Sequence, residues 1–398
     1  MSQVGALAQA SNKRAAASLG SGETWDEAVE AALSGLPSQN GTPELALLFI
    51  DSRFGDNYAA IVERVHSATG ATHLIGCSGQ SVIGSGVELE DGVAVALMTL
   101  KLPGATLTPV ALTDNGQTQE ALEAAVAAGE ISAWIALADP FSTNADALVG
   151  ALEQRWPGTP VLGGLASAHN QKDGTAVFLD GVAYEGGSVL LGLGGTVGLR
   201  ALVAQGAAPI GQAWTITGCE RNLIQTIGSR PALEVLQETV AALDPAMRER
   251  AQQNLLVGLA MDEYRDEHSQ GDFLIRNLMG ADRESGAIAI NALPREGQTF
   301  QFQVRDAAAA HADLESQLAT LKTQLVGEEV VGAMLCACNG RGQGLFGAPH
   351  HDAAALAEAL GPIPTAGLFC NGEIGPVGGH NFVHGFTASI ALLTAPAD

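Results

Sequence analysis

The sequence predicts an α/β protein whose mixed sheets are built from a repeated β-α-β-β unit. Three stretches of the chain share the same order of an apolar strand, a helix, a second apolar strand, a polar glycine-rich loop and a return strand. A β-α-β segment implies two parallel strands with a right-handed crossover. We expect each return strand to pair antiparallel in the same sheet.

The first copy begins with the apolar run Leu45 to Ile50, which has the length of a buried strand. Apolar residues then recur at helical spacing within Asn57 to Thr69. His73 to Cys77 is the predicted second strand, and Gly92 to Leu100 is the predicted return strand.

The other two copies follow the same order. The second copy consists of Ala133 to Ala138, a helix from about Thr143 to Arg155, Val161 to Leu165, and Ser188 to Leu193. The third copy consists of Ala333 to Ala337, a helix from about Asp352 to Leu360, Ala366 to Phe369, and Thr387 to Leu393.

Three further segments lie outside the repeats. Arg230 to Asn254 contains Pro231 and Pro245 and predicts two helices, with Asp244 capping the second. Gln298 to Val304 alternates polar and apolar residues and predicts a half-exposed strand. Ala307 to Leu325 predicts an amphipathic helix that faces the core, with partner contacts as the alternative.

Composition limits the classes of partner. The 398 residues predict two or three domains with sizeable cores. A formal net charge of −24 repels phosphate backbones and anionic lipid, so nucleic acid and membrane surfaces are poor candidates. No apolar run reaches the roughly 18 to 20 residues of a membrane span. We therefore expect no membrane insertion.

The cysteines indicate a reducing compartment. Their number is odd, and Cys77, Cys219, Cys336, Cys338 and Cys370 are scattered through mostly apolar segments. This pattern favours reduced thiols in a cytoplasmic protein. The first residues lack a basic segment before their apolar residues, so no secretory signal is expected.

The glycine-rich loops are the predicted binding site. Ligands collect outside the carboxyl ends of parallel strands. The loops Gly76 to Gly79, Gly163 to Ser167 and Cys370 to Glu373 all lie at the carboxyl ends of the second strands of their copies. We expect them at equivalent ends of equivalent units, with ligand-lining residues at Cys77, Ser78, Ser167, Cys370, Asn371 and Glu373.

The last loop leaves three interpretations open. Cys370 as nucleophile, His384 as base and Glu373 as the orienting group would suit a hydrolase. The same residues would also suit a loop that lines a ligand, or a turn with no further role. A cysteine at the end of a strand usually packs as a small hydrophobe.

Arginines embedded in glycine-rich or apolar motifs are candidates for binding a carboxylate. Arg305 and Arg341 each have the planar fork that a carboxylate accepts bidentately. With Asn339 they are expected to line a pocket in which Glu373 meets an amine. The alternative is that these arginines neutralise internal carboxylates. Asp306, next to Arg305, is expected to cap the helix that follows.

The run His350, His351 and Asp352 looks like a metal cluster, but adjacent residues rarely bind one ion together. We expect Asp352 to cap the following helix. No metal site and no cofactor are predicted.

The motifs resemble those of the FIST domain family along most of the chain. The C-terminal part carries NLLVGLAM (254–261), GDFLIRNLMGAD (271–282), FQVRDAAAA (302–310), LCACNGRGQGLFG (335–347) and GLFCNGEIGPVGGHNFVHGFTASIALL (367–393). The N-terminal part carries LIGCSGQSVIG (74–84), PVLGGLASA (160–168) and AQGAAPIGQAWTITGCERNLI (204–224).

The resemblance implies two modules, an N-terminal one at 25–240 and a C-terminal one at 245–394. It also implies an intracellular sensory protein that binds a small ligand, with amino acids as the suggested class. No output module is recognised in the sequence, so we expect a separate protein signalling partner. The alternatives are a cysteine-dependent amide or thioester hydrolase or transferase using Cys370, and a scaffold with an acidic surface.

Overall fold

The computed structural model describes residues 5–38, 41–113, 130–170, 172–263, 265 and 268–397. The chain forms two compact units. The first comprises Met1–Val203, Leu314–Val383 and Thr387–Asp398, and the second comprises Ala204–Asp313 and His384–Phe386. The modules predicted at 25–240 and 245–394 are each one continuous stretch of sequence, whereas both structural units are discontinuous. The bounds of the modules stay a prediction.

The helices of the described residues are α1 (Trp25–Gly35), α2 (Tyr58–Thr69), α3 (Ala145–Arg155), α4 (Ala232–Ala242), α5 (Pro245–Asn254), α6 (Ala307–Gln324), α7 (Gln343–Phe346) and α8 (His351–Leu360). A 3-10 turn spans Ser52–Asn57.

The strands up to the second unit are β1 (Gly5–Ser11), β2 (Ala15–Ser21), β3 (Leu45–Asp51), β4 (His73–Gly79), β5 (Val82–Gly84), β6 (Val87–Leu89), β7 (Ala94–Leu100), β8 (Ala105–Leu112), β9 (Ala133–Ala138), β10 (Val161–Leu165), β11 (Val177–Leu179), β12 (Val182–Tyr184), β13 (Ser188–Gly195) and β14 (Gly198–Gln205). They are followed by β15 (Ala207–Glu220), β16 (Leu223–Ile227), β17 (Arg230–Pro231), β18 (Leu255–Ala260), β19 (Phe273–Ala281), β20 (Ile288–Ile290), β21 (Thr299–Arg305), β22 (Glu328–Cys338), β23 (Thr365–Cys370), β24 (Glu373–Val377), β25 (His380–His384) and β26 (Thr387–Pro396).

The three predicted copies have the same strand pairing, which confirms the repeated unit. In each copy the two strands that flank the helix are parallel: β3 with β4, β9 with β10, and β22 with β23. The return strand then pairs antiparallel with the first strand of its copy: β7 with β3, β13 with β9, and β26 with β22. The predicted antiparallel return strands are therefore confirmed as well.

A glycine in each second strand explains how closely the parallel strands approach. Gly76, Gly163 and Gly367 are the register partners of Leu48, Ala136 and Leu335. A Cβ on any of the three glycines would lie within 2.0 Å of the partner's carbonyl oxygen. Glycine is thus required at these positions by the backbone of the neighbouring strand.

The hairpin after each second strand is exchanged between copies. The hairpin β5–β6 of the first copy pairs with β23 of the third. The hairpin β11–β12 of the second copy pairs with β4 of the first, and β24 of the third copy pairs with β10 of the second. The exchange is cyclic, so each copy completes the sheet of another copy.

The sheets of the first unit enclose a common core. One hydrophobic cluster contains Phe49, Leu137 and Leu368, which come from the three different copies. Helices α1 and α2 cover the other face of the first sheet, and α3 covers the second sheet. Strands buried on both faces are continuously apolar, as the sequence of β3 is.

The second unit is built on one sheet with the strand order β15-β21-β18-β19-β20-β16-β17. Two predicted helices are confirmed as α4 and α5, and the Asp244 side chain accepts a hydrogen bond from Met247 N at the start of α5. Helix α6 belongs to the second unit up to Asp313 and to the first unit from Leu314. It buries Ala310, Leu314, Leu318 and Leu321 at helical spacing, as expected for a core-facing helix.

The prediction of a half-exposed strand at Gln298 to Val304 is wrong. Strand β21 lies between β15 and β18, and Phe300 through Val304 are buried. The polar Gln301 is accommodated because its side-chain Nε2 donates to Gly211 O at 2.9 Å. A central strand with both faces covered has no solvent side, whatever its alternation suggests.

Within the described residues, no helix combines the length and the apolar character needed to cross a membrane.

Candidate ligand-binding site

The loops after the second strands meet in the first unit. Ser167 Oγ accepts a hydrogen bond from Gln80 N at 2.7 Å and donates to Phe369 O at 2.5 Å. Ser167 N donates to Ser78 O at 3.1 Å. One serine therefore contacts all three copies near the ends of their second strands, and the equivalent position of the three segments is confirmed. The prediction that they are loops is wrong for Gly76–Gly79 and for Gly163–Leu165, which belong to β4 and β10 because they pair in register with the neighbouring strands.

Backbone hydrogen bonds fix the second and third loops against each other. Leu165 N donates to Gly372 O at 2.8 Å, and Asn371 N donates to Leu165 O at 3.0 Å. These bonds continue the antiparallel pairing of β10 with β24. These bonds hold the carboxyl ends of β10 and β23 next to each other.

Cys77 and Ser78 lie behind these loops. Both are fully buried. Ser78 Oγ donates to Ser167 O at 3.2 Å and accepts from Ala176 N at 3.1 Å. Burial raises the pKa of the Cys77 thiol. The hydroxyls of Ser78 and Ser167 are thus engaged in joining loops.

A cavity of about 470 Å³ lies at the meeting point of the loops. Its polar lining consists of Ser167, Asn170, Thr175, Asn339 and Asn371. Ala168, Gly174 and the ring of Phe141, which is 80% exposed, complete the wall. Among the described residues, the lining side chains include no ionisable group. The volume is in the range of small-molecule sites.

Asn339 and Asn371 come from adjacent parallel strands. They follow Cys338 and Cys370, which are register partners at the ends of β22 and β23. Asn339 N donates to Cys370 O at 3.0 Å. The Oδ1 atom of Asn339 is buried and has no hydrogen-bond partner in the described part of the chain.

Behind the cavity wall lies the buried carboxylate of Asp139, which the sequence analysis did not predict. Asp139, 2% exposed, accepts hydrogen bonds from Ser142 Oγ at 2.6 Å and from the hydroxyl of the lining residue Thr175. The signal was present, since Asp139 directly follows the first strand of the second copy. Thr175 therefore presents oxygen lone pairs, and not its proton, to the cavity.

Cys370 and Glu373 are both fully buried next to each other. Cys370 Sγ donates to Glu373 Oε1 at 3.4 Å. Burial, reinforced by Cys336 and Glu373, raises the pKa of the Cys370 thiol well above its usual range. A nucleophilic cysteine must be an accessible thiolate. This environment opposes the role that the hydrolase interpretation assigns to Cys370.

The fork of Arg341 is already occupied. Its Nε and Nη2 donate to the two carboxylate oxygens of Asp352 at 2.6 and 2.8 Å, and both residues are buried. The Arg341 guanidinium lowers the pKa of Asp352, although burial acts in the opposite direction. The alternative that an arginine neutralises an internal carboxylate therefore describes this contact.

The expectation that Asp352 caps α8 is wrong. Glu88 Oε1, from the exchanged hairpin, accepts the backbone N–H groups of Asp352 and Ala353 at 2.9 and 3.0 Å. Since Glu88 satisfies the first amides of the helix, the Asp352 side chain is available for Arg341. Sequence reasoning missed Glu88, because its partner is 264 residues away.

Arg305 and His384 belong to the second unit. Arg305 lies over the Phe386 ring, with 6.0 Å between the guanidinium carbon and the ring centroid. Asp306 accepts a hydrogen bond from Ala309 N at 2.8 Å, which confirms its expected capping of α6. His384 is 3% exposed.

A groove of about 650 Å³ lies between α4 and α5 in the second unit. Arg248 lines it, and its guanidinium donates to Ala241 O and Leu243 O at 2.7 and 2.9 Å. The guanidinium of Arg248 is therefore already hydrogen-bonded to backbone carbonyls at the end of α4. We place the candidate ligand site in the loop cavity, where an unpaired polar atom is found.

No cluster of three or more histidine, cysteine or acidic side chains suited to a metal ion occurs in the part of the chain that the structure covers. None of Cys77, Cys219, Cys336, Cys338 and Cys370, all of which lie in the described residues, forms a disulfide.

Two family models identify the class of this protein. Residues 44–230 match the FIST N domain and residues 232–376 match the FIST C domain. The chain belongs to the FIST family. FIST domains are sensory domains of signalling proteins that bind small ligands.

Mycobacterial proteins are similar along most of their length. The chain is 38% identical over 352 residues to the uncharacterized protein Rv0628c of Mycobacterium tuberculosis, covering 88% of this chain and 91% of that protein. It is 36% identical over 350 residues to the uncharacterized protein Mb0898c of Mycobacterium bovis, covering 88% and 90%. A shorter match of 36% over 84 residues covers 20% of this chain and 16% of the F-box/LRR-repeat protein At5g63520 of Arabidopsis thaliana.

Proposed function

We propose that this protein is an intracellular sensor that binds an amino acid or a related small metabolite in the loop cavity and signals through a separate protein partner. The observation that carries the proposal is the cavity of about 470 Å³ at the carboxyl ends of the parallel strands. Ligands of α/β proteins bind at such strand ends.

The chemistry of the wall supports a ligand without net charge. The lining side chains among the described residues are amides, hydroxyls and apolar groups, and the chain carries a formal charge of −24. An isolated ion is costly to bury without a partner. A zwitterionic amino acid has no net charge, and amide N–H groups and the Thr175 oxygen offer donors and acceptors for its two ends.

The binding roles predicted for Glu373 and Arg341 are reassigned in this proposal. Both side chains are buried and bonded to Thr387 and Asp352 respectively. They support the loops around the cavity, while neutral side chains contact the ligand. Ligand binding by Arg305 and His384 stays a prediction.

A thermal-shift screen of amino acids and small metabolites tests the proposal. A ligand at 100 times its dissociation constant should stabilise the native protein by roughly 2.7 kcal/mol. Ala168→Phe places a bulky ring in the cavity wall and should abolish the shift. Ala147→Phe, on an exposed position of α3, is the matched control and should keep it. The proposal fails if no compound shifts the wild type, or if the Ala168 variant binds as well as the control.

A further inference from the structure

We infer that the ligand presents a planar amide group, a carboxamide or a lactam, to the side chains of Asn339 and Asn371. This inference rests on the proposed function, because it concerns the same cavity. It names the chemical class that the cavity selects and the two residues that select it.

The two amides are side by side. Cys338 and Cys370 are paired in register on parallel strands, and Asn339 and Asn371 are the next residues of those strands. Adjacent strands lie about 4.8 Å apart. Both residues line the cavity, so one small ligand can contact both of them.

No contact among the described residues explains the buried side-chain oxygen of Asn339. Its Oδ1 lacks a partner within the described residues, which is a costly arrangement for a buried acceptor. The turn that contains Asn339 is closed by the backbone, with Arg341 N donating to Cys338 O at 2.8 Å.

The corresponding turns of the other two copies use a side chain. Asp51 Oδ1 accepts from Arg53 N at 3.0 Å after β3, and Asp139 Oδ2 accepts from Phe141 N at 3.2 Å after β9. Asp51, Asp139 and Cys338 each lie three residues after the residue that pairs with Gly76, Gly163 or Gly367, so Cys338 holds this position in the third copy. Asn339 is therefore one residue beyond the position whose side chain closes the turn in the other copies.

A carboxamide pairs best with another amide. It carries an acceptor oxygen beside two N–H donors, so a ligand amide can exchange two hydrogen bonds with it. A ligand carboxylate offers acceptors alone, and no lining cation among the described residues would compensate its charge. The cavity should therefore favour an amide over the acid of the same shape.

Phe141 supplies the surface for the planar group. Its ring is 80% exposed at the cavity wall, where an apolar side chain of this size is normally covered. A flat amide or lactam ring stacked on Phe141 would cover it.

The experiment compares amides with their acids by calorimetry and thermal shift at pH 7, where the acids are ionised. The pairs are L-glutamine with L-glutamate, L-asparagine with L-aspartate, and nicotinamide with nicotinate; uracil and myo-inositol complete the panel. At least one amide or lactam should bind, about tenfold or more tightly than its acid.

Asn339→Ala and Asn339→Asp should each weaken the affinity for that amide about tenfold or more. Asn222→Asp, in an exposed turn of the second unit, is the control for added charge and should bind as wild type does.

The outcomes separate this inference from the proposed function. If an acid or myo-inositol binds as tightly as every amide, and Ala168→Phe abolishes that binding, the sensor stands and the amide inference is overturned. Retention of amide affinity in both Asn339 variants overturns it too. If no panel member binds, the amide inference is overturned, and the wider metabolite screen decides the proposed function.

Discussion

Glu373 and Thr387 connect two sheets of the first unit. Glu373 Oε2 accepts hydrogen bonds from Thr387 N at 3.0 Å and from Thr387 Oγ1 at 2.7 Å. Glu373 belongs to β24, which pairs with β10, whereas Thr387 begins β26, which pairs with β22. The carboxyl group is fully buried, and burial raises its pKa from 4.5 to about 7 despite these hydrogen bonds.

Stability should consequently fall as pH rises from about 4.5 to about 7. In this window the folded state holds the Glu373 proton while the unfolded state has released it, so raising the pH favours unfolding. Glu373→Gln resembles the protonated carboxyl and should remove this contribution, which is on the order of 3 kcal/mol at most. Denaturant unfolding at pH 5, 6 and 7 measures it.

Glu63→Gln, on the exposed face of α2, is the control and should leave the pH profile unchanged. Part of the slope should persist in Glu373→Gln, because burial raises the pKa of Glu88 to about 7 as well. A Glu373→Gln profile with the wild-type slope would show that Glu373 is ionised throughout.

Cys370 should react slowly with iodoacetamide in the native protein. The thiol is fully buried, and its pKa is raised. Mass spectrometry at neutral pH should show Cys219, which is partly exposed, labelled well before Cys370. Cys370→Ser should keep ligand affinity and lose about 1 kcal/mol of stability, because a buried hydroxyl replaces the thiol.

Rapid labelling of Cys370, with loss of turnover of an ester or amide, would support the hydrolase in place of the sensor.

Gly76→Ala should destabilise the first unit by at least about 2 kcal/mol, because the new methyl group cannot be accommodated without moving a strand. Its Cβ would lie 1.8 Å from Leu48 O. Gly367→Ala should behave alike, since its Cβ would lie 2.0 Å from Leu335 O. Chemical denaturation gives the free energies of unfolding.

Gly150→Ala in α3 is the matched control. No atom lies within 4 Å of its added Cβ, so the change should be neutral or stabilise by up to about 1 kcal/mol. Equal effects of Gly76→Ala and Gly150→Ala would contradict the close approach of β3 and β4.

Ser167→Ala should lower the free energy of unfolding by about 1–3 kcal/mol, because it leaves Gln80 N and Phe369 O without their shared partner. Ser34→Ala on the exposed face of α1 should change stability by less than about 0.5 kcal/mol. Comparable small effects from both substitutions would mean that Ser167 does not hold the loops together.

Local sequence patterns were sufficient to predict the repeated unit. Short apolar runs such as Leu45 to Ile50 are long enough for a strand, and a helix between two such runs imposes a parallel pair with a right-handed crossover. The caps at Asp244 and Asp306 were predictable too, because a capping side chain bonds to amides within the next three residues.

Contacts between distant residues were not predictable. The alternation of β21 indicated a solvent face, but neighbouring strands and the layers above them leave none. Glu88 caps α8 although 264 residues separate it from Asp352, so no local pattern records the contact.

The sequence alone determined the three β-α-β-β copies, because they follow from hydrophobic periodicity over a few residues. The tertiary structure decided which loop side chains are available to a ligand. Cyclic exchange of the hairpins buries Ser78, Cys370 and Glu373 and leaves Asn339 and Asn371 at the cavity wall. Burial and hydrogen-bond partners depend on chain segments far apart in sequence, and these are fixed only when the copies pack together.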